Sequence, residues 1–240
     1  KDFNLSAKLA GLFSIRMLGI FIILPIYSLY TQEFLDSTPL LAGLFISSYA
    51  MTQILLQPLF GTISDYFGRK KTIVVGMLLF IIGSLVNAFS SSIYVAILGR
   101  VIQGTGAVSA VVLALTSDLT REEIRGKAMA LIGISIGLTF GVAIFLSPLI
   151  FGYFGGFGIF LFCALLGVLA IYITLIKIPT PKKMVRTEKS ALPLSAAIRA
   201  AFNNADINRL YFGGFMVHLT LTLGFTAFPW LLNDAGFGPK

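Results

Sequence analysis

The chain has 240 residues, 57% of them hydrophobic and only 12% charged, with eighteen basic and ten acidic side chains for a net charge of +8. Soluble domains carry about a quarter charged residues, so this composition excludes an ordinary water-soluble enzyme and a disordered partner-binding segment. The lone cysteine, Cys163, excludes an internal disulfide framework and a cysteine-based zinc site.

Residues 17–32, 37–64, 72–99, 101–117, 128–176 and 210–233 contain no Asp, Glu, Lys or Arg. A membrane helix needs about 20 apolar residues, and the pattern predicts spans over about 8–31, 39–63, 72–90, 93–116, 127–150, 156–177 and 208–231. The stretch 128–176 has room for two helices, with a turn expected between Pro148 and Gly156, where Gly152, Gly155 and Gly156 cluster. The expected fold class is all-α membrane protein. The first span is expected to stay in the protein rather than act as a cleaved leader, because it contains Arg16 and more spans follow.

The spans divide the chain into a six-helix bundle over 1–177, a basic linker over 178–207 and a seventh helix within 208–240. Pro179, Pro181 and Pro193 punctuate the linker, and Leu194, Ile198, Ala201 and Phe202 share one face of a predicted interfacial helix. With the N-terminus in the cytoplasm, fifteen of the eighteen basic residues fall on the cytoplasmic side, while Arg16 and Arg100 lie within spans. That asymmetry predicts an N-in, multi-pass protein whose basic charge serves the lipid bilayer and not nucleic acid.

Two local patterns carry chemistry. Between the second and third spans, Gly61, Asp65, Gly68, Arg69 and Lys70 form a tight basic hairpin. There Gly61 is expected to let helix backbones approach, Gly68 to take a positive φ, and Asp65 to meet Arg69. In the fourth span Arg100, Gln103, Gly104 and Gly106 recur. An arginine at that depth is tolerated only beside a wet cavity or hydrogen-bond acceptors.

The hairpin resembles the G-x3-D-x-x-G-R-[RK] loop of the major facilitator superfamily, with Tyr66 where many members have a basic residue. The fourth-span pattern is similar to the R-x-x-Q-G-x-G of its proton-coupled members. Gly133, Gly137 and Gly141, with Ser147-Pro148 in place of Gly-Pro, partly match the antiporter motif of the fifth span. Small-residue helix packing explains those glycines equally well. Residues 13–152 resemble the drug:H+ antiporter branch. Segments 14–19 with Leu24-Pro25, and 117–122 with 127–130, look most like its bacterial YajR type, and the resemblance runs through the whole chain.

The resemblance implies a bundle of 3+3 inverted repeats followed by the first helix of a second bundle, in a bacterial inner membrane. It implies a secondary transporter, not an enzyme, with no cofactor beyond the proton gradient. Its partners would be lipid, protons, a small-molecule substrate and the second half of the same transporter. Spans 1 and 4 would line the cavity, spans 2 and 5 would meet the other half, and spans 3 and 6 would face lipid. Asp65, Arg69 and Asp118, with Gly61, Gly68 and Lys70, would form a cytoplasmic conformational lock. Arg16, Arg100, Gln103 and His218 would serve the cavity and proton coupling. Gly104, Gly106, Gly133, Gly137, Gly141 and Pro148 would serve helix packing.

The proton carrier stays open between His218 and a carboxylate elsewhere in the transporter. Efflux of amphipathic molecules by antiport and uptake of a metabolite, including an anionic one, both remain consistent with the two intramembrane arginines.

Overall fold

The computed structural model describes residues 2–180, 202–232 and 235. Helices α1 (Asp2–Phe21), α2 (Tyr27–Gln32), α3 (Pro39–Phe67), α4 (Arg69–Ala88), α5 (Ile93–Thr105), α6 (Ser109–Leu119) and α7 (Glu122–Tyr172) follow in chain order. A π turn, Ile173–Lys177, ends α7, and α8 (Ala205–Leu232) follows. The chain divides into two compact units, 1–184 and 185–240. The amphipathic helix expected at 193–205 falls almost entirely outside the described residues.

Local signals start the helices where the sequence allows. Pro39 occupies the first turn of α3, and the Thr38 side chain accepts from the Leu41 N–H. Ser92 caps α5 by accepting from the Tyr94 N–H. Among the described residues, four helical segments are long and apolar enough to cross a membrane: Pro39–Phe67, Arg69–Ala88, Ile93–Leu119 and Glu122–Lys177.

The last of these makes two crossings. Gly155, at φ 60 and ψ −161, interrupts α7. Ser147 Oγ bonds the Ile22 carbonyl, and Cys163 Sγ lies 3.4 Å from the Gly19 carbonyl on the neighbouring turn. Both partners sit on one stretch of the first span, yet Ser147 and Cys163 flank Gly155 at equal separation. A straight helix would hold them about 24 Å apart, so the chain must double back at Gly155. The turn lies inside the expected 148–156 window, but the helix runs through Pro148.

Two expected spans are broken. The first pauses at Ile22–Ile26, where Pro25 has no N–H to continue the ladder. The fourth pauses at Gly106, Ala107 and Val108 between α5 and α6.

Within the first unit, α1 packs chiefly on α7, α4 on α7 and α5, and α3 on α5. The shared core holds Leu9, Leu12, Ile73, Met77, Phe80, Ile159 and Phe160. The third span is expected to face lipid, and α4 is exposed on one side only. Gly76, Phe80, Gly83, Ser84 and Asn87 are buried, whereas Val75, Leu78 and Ile82 are exposed.

Candidate functional site

Two polar clusters stand out in the first unit. The first lies at the junction of α3 and α4. Gly68 turns the chain there at φ 100, as its place in the hairpin predicts, and its N–H bonds the Ser64 carbonyl at 3.1 Å. The turn delivers Arg69 into a set of oxygens from two helix ends. Its Nη2 meets Asp65 Oδ1 at 2.6 Å, and its Nε meets Asp118 Oδ2 at 2.9 Å. Its Nη1 donates to Ser64 Oγ, which itself donates to the Gly61 carbonyl.

Asp65 and Arg69 pair across the helix junction, not along one helix face, while Asp118 comes from the end of α6. One planar guanidinium thereby ties the α3–α4 hairpin to the fourth span, a task its rigid fork suits better than a lysine would. Arg69 and Asp118 side chains are 15% and 17% exposed, against 56% for Asp65. Ser64 is a member that the sequence pattern missed; its only signal is its place next to Asp65 in the hairpin.

Two expectations for this cluster are corrected. Lys70 turns away from the acids, and its Nζ donates to the Leu175 and Ile178 carbonyls, closing the end of the sixth span. Carbonyls at a helix end lack intrahelical donors, so a cation is drawn there. Gly61 is not a point of close approach, because a Cβ there would meet nothing within 4 Å.

The second cluster lies between spans 1 to 4. Arg16 on α1 donates from Nη2 to Tyr49 OH at 2.6 Å and to the Gly106 carbonyl at 3.1 Å. Arg100 on α5 donates from Nη1 to Gln103 Oε1 at 2.8 Å. Gln103 Nε2 donates to Ser84 Oγ at 2.7 Å, and Ser84 donates to the Phe80 carbonyl. Tyr49 lies between the cations: its ring centroid is 5.7 Å from the guanidinium carbon of Arg16 and 4.5 Å from that of Arg100. Phe80 and Phe45 supply further ring contacts, to Arg16 and Arg100 respectively.

Both arginines are only 2% exposed. They sit inside the bundle and not on an open cavity wall, and of the two settings that tolerate an arginine at that depth it is the hydrogen-bond acceptors that they find. Aromatic rings and neutral acceptors hold them there, since among the described residues no carboxylate pairs with either. Arg16 Nε and Nη1 and Arg100 Nε have no hydrogen-bond partner among the described residues.

The glycine expectations divide. A Cβ on Gly104 would come within 2.6 Å of the Tyr49 carbonyl, and one on Gly106 would strike the Gly76 carbonyl, so both mark tight helix contacts. Gly133, Gly137 and Gly141 do not pack inside the bundle, for a Cβ at any of them meets nothing within 4 Å. The residue before Pro148 earns its place through the Ser147–Ile22 bond, which fills a carbonyl freed by the break in the first span.

His218 is exposed on α8 within the second unit, with Nδ1 2.9 Å from the Gly214 carbonyl. A groove of about 260 Å³ separates α1 from the first limb of α7, lined by Ser14, Ile15, Leu18, Ser135, Leu138, Thr139 and Val142. Ser135 and Thr139 spend their hydroxyls on carbonyls of their own helix, leaving the groove largely apolar.

Residues 9–239 match the family model described as Major Facilitator Superfamily. The chain is 39% identical over 229 residues to the inner membrane transport protein YajR of Escherichia coli strain K12, covering 95% of this chain and 50% of that protein. It is 31% identical to the class B tetracycline resistance protein of Escherichia coli, over 63% of this chain and 38% of that one. Its fold aligns with the xylose transporter XylE from E. coli in a partially occluded inward-open conformation, with a TM-score of 0.65 at 15% identity. That alignment covers 78% of this chain and 50% of XylE. The chain thus spans about half the length of the curated relatives it matches.

Proposed function

The chain belongs to the Major Facilitator Superfamily, and from that premise we propose that the protein exports small amphipathic molecules in exchange for protons by alternating access. The chain supplies one six-helix bundle and the first helix of the next, and the rest of the cavity wall comes from a second bundle. The N-terminus lies in the cytoplasm of a bacterial cell, with the protein in the inner membrane.

The observation that carries this reading is the Arg69 junction. Arg69 bonds Asp65, Asp118 and Ser64 at one end of the bundle. Placed on the cytoplasmic side, that cluster locks the hairpin against the end of α6 and favours the state open to the outside. Loosening it by protonating or replacing a carboxylate favours the opposite state. The tetracycline-resistance relatives support export over uptake. The largely apolar groove between α1 and α7 suits an amphipathic solute.

A second reading, uptake or facilitated passage of an anionic metabolite, is favoured by two buried arginines that no described carboxylate neutralises. Proteoliposomes containing the full-length protein separate the two. Export predicts that an imposed proton gradient drives an amphipathic cationic dye against its concentration gradient. Dye flux that ignores the gradient, together with proton-driven entry of organic anions, would replace the first reading with the second.

A further inference from the structure

The break in the fourth span brings together three features that the lock does not use. α6 starts abruptly at Ser109, with Val108 before it and no side-chain cap. The first N–H groups of a helix have no intrahelical acceptor and carry the equivalent of about half a positive charge. Ser109 Oγ is buried and has no hydrogen-bond partner among the described residues. Arg16 is anchored at the same break by its bond to the Gly106 carbonyl, three residues before Ser109, and its Nε and Nη1 are unfilled.

A guanidinium beside the positive end of a helix is a like-charge juxtaposition, and Arg100 adds a second cation around Tyr49. Among the described residues no carboxylate pairs with either arginine. Unfilled donors from a side-chain hydroxyl, a guanidinium and a helix start are the parts from which anion sites are built. Burial selects the size of the anion. Ala107, Val108, Ser109 and Arg16 are all buried, so a bulky organic acid has no entry, whereas a monatomic ion needs only a small void.

We propose that the break between α5 and α6 binds a halide-sized inorganic anion held by Arg16, Ser109 and the first amides of α6. The ion neutralises the interior of the bundle and fixes the two half-helices of the fourth span to the first. The proposal stands or falls separately from the export reading, but it takes over the two arginines on which the organic-anion reading rests.

The test uses the full-length protein in lipid nanodiscs, melted in sodium chloride, bromide or gluconate at equal ionic strength. Chloride and bromide should raise the melting temperature over gluconate by about 2–4 °C, the shift growing with the logarithm of the ion concentration once binding sets in. Ser109→Ala should move the chloride concentration that gives the same shift about tenfold upward, and Arg16→Gln should abolish the shift. Crystals soaked in bromide should show an anomalous peak within hydrogen-bond distance of Arg16 and Ser109. Equal melting in all three salts, an unchanged chloride dependence in Ser109→Ala, or bromide found only elsewhere would overturn the proposal. Should Arg16→Gln fail to fold, the Ser109 variant and the bromide map still decide.

Discussion

At Arg69 one guanidinium meets two carboxylates of unequal worth. Asp65 is more than half exposed, and such ion pairs contribute about 0–1 kcal/mol. Asp118 is largely shielded, and a hydrogen bond to a charged group in that setting contributes about 1.5–3 kcal/mol. Asp118→Asn is therefore expected to lower the melting temperature and shift conformer populations more than Asp65→Asn. Thermal melting of both variants in one lipid checks the order, and equal or reversed effects would contradict it. At Gly106 the constraint is steric. The Gly76 carbonyl occupies the space a Cβ would need and belongs to backbone that cannot swing aside. Gly106→Ala is expected to cost about 1–3 kcal/mol, while Gly137→Ala, with open space around it, should leave melting nearly unchanged.

Among the elements, the first and fourth spans, which occupy equivalent places in the inverted repeat, are both interrupted. In the first, Ser147 from α7 takes up the Ile22 carbonyl that the break releases. Hydrogen bonds between membrane helices average about 0.6 kcal/mol and reach about 1.7; a carbonyl left buried and unpaired pushes this one toward the upper end. Ser147→Ala should accordingly destabilise by about 1–2 kcal/mol, with Ser147→Thr retaining part of the loss, as read by chemical or thermal unfolding. The hairpin of α7 rests on Gly155 in a backbone region reserved for glycine. Gly155→Ala should cost about 1–3 kcal/mol, visible as reduced yield and a lower melting temperature.

Much of this was legible in the sequence at the level of elements. The charge-free runs, the turn near Gly155 and the positive φ of Gly68 all follow from residue type and spacing. The two breaks were less legible, because an uninterrupted apolar run does not show where its helix pauses; Pro25 was the one available cue. The meeting of Asp65 with Arg69 was also readable, since both lie in one hairpin. Lys70, however, found its acceptors on the sixth span, and Arg16 and Arg100 found Tyr49, Phe45 and Phe80 on neighbouring helices. Partners far apart in the chain leave no local spacing to read, so an intramembrane arginine left a wet cavity and hydrogen-bond acceptors as alternatives, and the fold supplies acceptors and aromatic rings.

For the whole molecule, the account joins a rigid bundle core to a polar clasp at one end. The core of α1, α4 and α7 is well buried, whereas Gly133, Gly137 and Gly141, with the exposed Ile134 and Leu138 between them, form an outward face of α7. In a transporter of two bundles such a face is available to the second bundle, and relative motion there exchanges the two open states. In the proposed transport cycle the clasp at Arg69 acts as a bias of a few kcal/mol on that motion and not as part of a binding site. A bias of that size is enough to move a two-state population severalfold or more.

Pulsed electron resonance between spin labels placed at the cytoplasmic ends of the two bundles of the full-length protein tests this bias most directly. Asp118→Asn should move the distance distribution from the short, closed separation toward the long one, with the distribution at the opposite end moving the other way. Distributions that stay unchanged at both ends, in a variant that still folds and inserts, would contradict the lock.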